Sequence, residues 1–183
     1  MRILIADDES IIRLGLKSML KELGHEVIMA RDGREALSLA RQQRPDLAIL
    51  DIKMPFTDGL QAAHTLARTQ PLPILILTAF NEQDLIERAA DLPIHGYLIK
   101  PLKPGELAAA LAVAAKRFEE AQFLQAHTNK LEERLQTRKV LDRAKGHLMA
   151  KGMTEEAAYR HLQRLARGSQ RTMREVAEGS LRK

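Results

Sequence analysis

The chain has 183 residues and a mass of 20.6 kDa, with 45% hydrophobic and 29% charged residues, a balance that excludes wholesale disorder and allows one domain or two small ones. It has no cysteine, which excludes disulfides, thiol catalysis and Cys-based zinc sites, and no apolar run approaches the roughly 18–20 residues of a membrane span. The net charge of +5 is uneven: residues 127–183 hold 14 Lys and Arg against 7 Asp and Glu, a basic tail behind a slightly acidic first part.

In chain order, Met1-Arg2-Ile3-Leu4-Ile5-Ala6-Asp7-Asp8-Glu9 meets acid too soon for a secretory signal, so a cytoplasmic protein is expected. Ile3–Ala6, Leu47–Leu50 and Ile74–Leu77 are short unbroken apolar runs, the pattern of strands covered on both faces. Val27–Met29 and Gly96–Ile99 give two further strands. Between them lie helical patterns, one over Ile12, Leu16, Met19, Leu20 and Leu23 closed by Gly24, another over Ala36, Leu37, Leu39 and Ala40 stopped before Pro45. Strands alternating with helices predict a doubly wound, five-stranded parallel sheet over residues 1–120.

From about Glu106 the pattern becomes unbroken helix. Leu107, Ala110, Ala114, Arg117, Ala121, Leu124, Thr128, Leu131 and Leu135 form a weak heptad seam over residues 106–135, a helical linker that either pairs two copies of the chain or lies against its own sheet domain. After Gly146 and Gly152, Thr154-Glu155-Glu156 signals a helix start and Gly168 its end; Thr172-Met173-Arg174-Glu175 is a capping box for a last short helix. Residues 127–183 thus read as a small three-helix, all-α domain.

Ligands of open parallel sheets bind beyond the carboxyl ends of the strands. Asp7 and Asp8 follow the first strand, Asp51 the third, Thr78 ends the fourth and Lys100 follows the fifth. Three crowded carboxylates repel, and Mg²⁺ suits such an all-oxygen set. A carboxylate beside that cation is a nucleophile toward phosphorus, with Thr78 placed to hydrogen-bond a phosphoryl oxygen and Lys100 to pair with its charge. The competing reading is that each acid merely caps the helix behind its strand.

Asp7-Asp8-Glu9, Asp51-Ile52-Lys53-Met54-Pro55-Phe56-Thr57-Asp58-Gly59, Thr78-Ala79 and Lys100-Pro101 together resemble the receiver domain of two-component response regulators. The resemblance implies a flavodoxin-like fold, with Asp51 as phosphoacceptor from a sensor histidine kinase and Mg²⁺ held by Asp8, Asp51 and the Lys53 backbone carbonyl. Asp7 would act through bound waters, Thr78 and Tyr97 would be paired switch residues, and Lys100-Pro101 matches a Lys-Pro pair that is often cis. It implies assistance to its own phosphorylation and dephosphorylation, with no external substrate turned over, hence no enzyme. Leu92-Pro93-Ile94-His95 departs from the family's Gly-Ala-rich approach to the last strand.

Arg134, Arg138 and Lys145 share one stripe of the long helix, and Arg160, Arg164 and Arg167 a second stripe on the next. Arg171 and Arg174 flank the third helix start, where the dipole favours phosphate. Tyr159 is the one aromatic of this region, too few for extended single-strand stacking. Arg138–Met149, Gly152-Met153-Thr154-Glu155-Glu156-Ala157-Ala158-Tyr159, Leu162–Ala166 and Met173 with Val176-Ala177 resemble the ANTAR domain, a three-helix module that binds hairpins in nascent leader transcripts and prevents a terminator from forming. The resemblance implies packing roles for Ala144, Leu148, Ala157, Leu162, Ala166 and Val176, and RNA contacts by Arg138, Lys145, Tyr159, Arg164 and Arg174. The expected function is therefore a phosphorylation-controlled antiterminator, homodimeric when phosphorylated. The alternative is a DNA-binding transcriptional response regulator, against which the Gly168–Thr172 link sets up no clear recognition helix.

Overall fold

The computed structural model describes residues 1–79 and 92–181. The chain divides into two compact units, Met1–Gln122 and Phe123–Lys183. In the first, strands β1 (Arg2–Ala6), β2 (Glu26–Ala30), β3 (Leu47–Asp51), β4 (Ile74–Thr78) and β5 (Gly96–Ile99) form one parallel sheet in the order β2-β1-β3-β4-β5. Helices α1 (Ser10–Glu22), α2 (Gly33–Gln43) and α3 (Gly59–Thr69) connect the strands, and a long helix α4 (Pro104–Ala150) follows the last.

Alternation along the strands sorts their side chains to two faces. Ile3, Ile5, Leu47, Ile49, Leu75 and Leu77 pack with Leu16 and Leu20 of α1 and with Leu107, Leu111 and Ala114 of α4. Leu4, Ala6, Ala48, Leu50, Ile74 and Ile76 pack on the other face with Ala36 and Ala40 of α2 and Ala62, Ala63 and Leu66 of α3. Two covered faces explain why β3 and β4 are buried along their whole length and read as unbroken apolar runs. Side-chain caps start two of the helices: Asp32 accepts from the Glu35 amide and Asp58 from the Gln61 amide. The strand order reverses at β1, whose neighbours are β2 and β3, and this switch point places Asp7 beside Asp51.

Helix α4 belongs to both units. Within the first, Leu107 and Ala114 of the heptad seam are buried; within the second, Leu124, Leu131 and Leu135 are 65%, 45% and 58% exposed. The helix continues through Gly146, where an added methyl would meet open space, and ends at Ala150 before Gly152 at φ +94°.

The second unit packs the end of α4 against α5 (Glu155–Ser169) and α6 (Met173–Leu181). Its core is Ala144, Leu148, Ala158, Leu162, Ala166, Val176 and Ala177. Ala157, expected to pack, is exposed, and Ala158 takes the core position. Adjacent residues point about 100° apart on a helix, and Ala158, not Ala157, lies one turn before the buried Leu162. Gly168 does not end α5. The helix runs one residue farther, to Ser169, and the Ala166 carbonyl accepts both the Gln170 and Arg171 amides, with Gln170 in the left-handed closing conformation at φ 52°. The two cap expectations hold: Thr154 accepts from the Ala157 amide, and Thr172 and Glu175 exchange hydrogen bonds.

Candidate functional site

The first site lies at the carboxyl edge of the sheet. Asp7 is fully buried, Asp51 is 5% and Thr78 1% exposed, and Asp8 is exposed at the rim. One carboxylate oxygen from each of Asp7, Asp8 and Asp51 lies within 4.8 Å of the others. None of the three acts as the cap of its helix: Asp58 caps α3, and the cap position of α1 is Glu9, which makes no side-chain cap bond. Asp7 instead accepts from the Glu9 amide at 2.8 Å. Lys100 reaches into the cluster, with its Nζ 2.8 Å from both Asp7 and Asp51 and 3.7 Å from Glu9. The Lys100-Pro101 peptide is cis.

Burial pushes the Asp51 carboxyl up to about 6; Lys100 pulls it back, and the carboxylates of Asp7 and Asp8 push it up again. Burial alone would lower the Lys100 ammonium, but its bonds to Asp51 and Asp7 outweigh that and hold it above its ordinary range. One ammonium facing three carboxylates leaves excess negative charge on hard oxygen donors, the chemistry that a small divalent cation such as Mg²⁺ matches.

The loop from Asp51 to Gly59 is held tightly. A Cβ at Gly59 would overlap the Asp51 carbonyl, and one at Gly33 of α2 would overlap Thr57. Arg34 stacks over Phe56, 5.1 Å from the ring centre, and Phe56 adopts φ 67°. Lys53 lies in this loop with an exposed side chain. Thr78 donates from its hydroxyl to the Ala79 carbonyl at 3.1 Å. Tyr97 on β5 is 37% exposed and shares a face of the strand with Ile99, opposite the buried Leu98. Sequence reasoning missed Arg13: its guanidinium donates to the Asp7 carbonyl at 2.6 Å and the Asp8 carbonyl at 3.0 Å, holding the backbone that carries both acids. The signal was available, since Arg13 stands in the first turn of the helix behind the acidic pair.

The second site lies in the helical unit. Arg138, Lys145 and Tyr159 line one groove together with Lys130, Glu133, Arg134 and Asp142. Tyr159 is 44% exposed. Lys145 is engaged at 2.8 Å by Glu155 and at 3.0 Å by Asp142, and Arg138 lies 3.9 Å from Asp142. Arg164 and Arg174 do not line this groove. Arg164 is exposed five residues beyond Tyr159, on another side of α5, and Arg174 pairs with Glu178 at 2.9 Å. A different groove is lined by Lys151, His161, Ser169 and Arg171. No described helix is long and apolar enough to cross a membrane.

Residues 3–112 match the response regulator receiver domain family and residues 129–179 the ANTAR domain family. The transcriptional regulatory protein PdtaR of Mycobacterium tuberculosis is 46% identical over 179 residues, 97% of this chain and 87% of that protein. The probable transcriptional regulator ycf27 of Galdieria sulphuraria is 38% identical over 130 residues, 70% of this chain and 50% of that protein. Among solved structures, a response regulator receiver domain protein from Clostridium thermocellum superposes with a TM-score of 0.61 at 29% identity, covering 66% of this chain and 98% of its own. With the acidic edge of a doubly wound sheet in front and a three-helix unit behind it, the chain belongs to the response regulators, as a receiver domain joined to an ANTAR output domain.

Proposed function

We propose that the protein is a phosphorylation-controlled, RNA-binding transcription antiterminator. The observation that carries the proposal is the placement of a buried Asp51 between the Lys100 ammonium and the carboxylates of Asp7 and Asp8. A phosphohistidine on a sensor kinase is the donor. A carboxylate oxygen of Asp51 attacks phosphorus, the phosphorus–nitrogen bond breaks, and its electron pair leaves on the kinase imidazole. Asp8, Asp51 and the Lys53 backbone carbonyl would hold Mg²⁺, with Asp7 acting through water, and the cation supplies charge neutralisation around the phosphoryl oxygens. Lys100 exchanges its contact with Asp51 for the phosphoryl group, and the Thr78 hydroxyl leaves the Ala79 carbonyl to donate to a phosphoryl oxygen.

The new group carries about −1.5 to −2 charges. Movement of Thr78 opens space that the Tyr97 ring turns inward to fill, which alters the β4–β5 side of the receiver ahead of α4. That change favours pairing of two chains along the exposed Leu124, Leu131 and Leu135 positions. Each helical unit then grips one hairpin of a leader transcript, with Arg138, Lys145, Tyr159, Arg164 and Arg174 as contact residues, and the terminator does not form. Two linked units gain affinity through effective concentration, with no new contact at either.

The test is capture from a matched pool of genomic duplex fragments and their transcripts, with and without beryllium fluoride and Mg²⁺. Enrichment of transcripts with tandem hairpins, strengthened by the phosphoryl mimic, is the expected result. Enrichment of duplex DNA would establish the DNA-binding alternative, and capture of neither would overturn nucleic-acid binding.

A further inference from the structure

We propose that Glu155 and Asp142 are specificity-determining residues of the basic groove: they occupy its cations so that a generic polyanion meets a partly neutralised surface. The inference rests on the RNA-binding reading above. Four cations line the groove, Lys130, Arg134, Arg138 and Lys145. Asp142 touches two of them, Lys145 at 3.0 Å and Arg138 at 3.9 Å, and Glu155 engages Lys145 a second time at 2.8 Å. The Lys145 side chain is 20% exposed, and its ammonium lies between Asp142 of α4 and Glu155 of α5.

Ion pairs with such exposed acids contribute little to stability. Their electrostatic effect on an incoming phosphate is larger, because the phosphate must displace a carboxylate before it reaches Lys145. A ligand that also fills the rest of the groove, against the Tyr159 ring and along Arg134 and Lys130, gains enough elsewhere to make that exchange. An unstructured single strand does not, and it is held only by the cations the acids leave unoccupied. Discrimination then comes from an element that opposes the wrong ligand as well as from contacts to the right one.

The reading predicts a gain of binding, which local damage to a site does not produce. The full chain is compared as wild type, Glu155→Gln, Asp142→Asn, the two combined, and Glu156→Gln. Glu156 is the control: it stands beside Glu155 on the same helix end but pairs with Arg160, which does not line the groove. The probes are single-stranded oligo(U) and a hairpin pool with a constant stem and randomised loop, with circular dichroism confirming equal helix content. Glu155→Gln combined with Asp142→Asn, which removes both carboxylates from Lys145, is expected to bind oligo(U) about three- to tenfold tighter, and each single variant, which leaves Lys145 one acid, less so. The slope of log affinity against log salt should steepen by about 0.7 for each cation freed. Hairpin affinity should rise less, so the preference for hairpins falls, while Glu156→Gln resembles the wild type. Unchanged or weaker oligo(U) binding in the combined variant, or an equal rise in Glu156→Gln, would overturn the role. A wild type with no preference for hairpins over oligo(U) would overturn the RNA reading beneath it, and that result is visible without any variant.

Discussion

Asp51, the proposed nucleophile, sits in an unfavourable setting for a carboxylate. Its carboxyl sits at about 6 against an ordinary 3.8, because burial and two neighbouring carboxylates outweigh the single ammonium of Lys100. Between these two values the folded chain binds a proton that the unfolded chain does not, so metal-free stability rises as pH falls through that window. Relative to Asp51→Asn, the wild type should carry a cost of at most about 3 kcal/mol above pH 6 that disappears near pH 4. Denaturant unfolding of both proteins in chelator at pH 7.5 and 4.5 measures this, and an equal difference at the two pH values would refute it. Mg²⁺ should recover part of the cost at pH 7.5 by binding only the folded form. Two glycines make a second residue-scale contrast. Gly59→Ala drives a methyl into the Asp51 carbonyl and should destabilise the receiver by about 2 kcal/mol or more, whereas Gly15→Ala, with open space around it on α1, should stabilise it by roughly 0.5–1 kcal/mol. Thermal unfolding of both variants checks the opposite signs.

At the scale of elements, what was legible followed from period and position. The buried strands read as unbroken apolar runs, and residues at strand ends in a parallel sheet had to converge, so the acidic cluster followed from topology. Features set by contact between helices were not legible. Ala157 and Ala158 are chemically identical, and only the angular register with Leu162 decides which is buried. Gly168 is the usual closing residue, yet Gln170 closes α5, because helix closure is anchored at Ala166. Lys145 read as one cation of a basic stripe; of its two acidic partners, Glu155 lies ten positions away, across a turn. The heptad seam of α4 was visible, and its division into buried Leu107 and Ala114 and exposed Leu124, Leu131 and Leu135 was not. If the exposed part pairs two chains, Leu131→Glu should leave the beryllofluoride-treated protein monomeric in sedimentation with its receiver stability unchanged. A variant that dimerised like the wild type would remove α4 from the dimer interface.

For the whole molecule, the receiver and the ANTAR unit each hold a polar site, and α4 is the covalent element they share. A regulator needs those sites to be energetically coupled, and coupling is a free energy that both ligands must report equally. The proposed route makes the coupling depend on the Asp51 oxygen that Lys100 now holds, so the receiver's charge state and the helical unit's affinity should move together. The most direct measurement is the Kd of the full chain for a hairpin transcript recovered by capture, with and without beryllium fluoride and Mg²⁺, in the wild type and in Asp51→Ala. The account predicts at least about tenfold tighter binding in the wild type with the phosphoryl mimic, and no change in Asp51→Ala. Equal affinity with and without the mimic in the wild type, or the same tightening in Asp51→Ala, would contradict it.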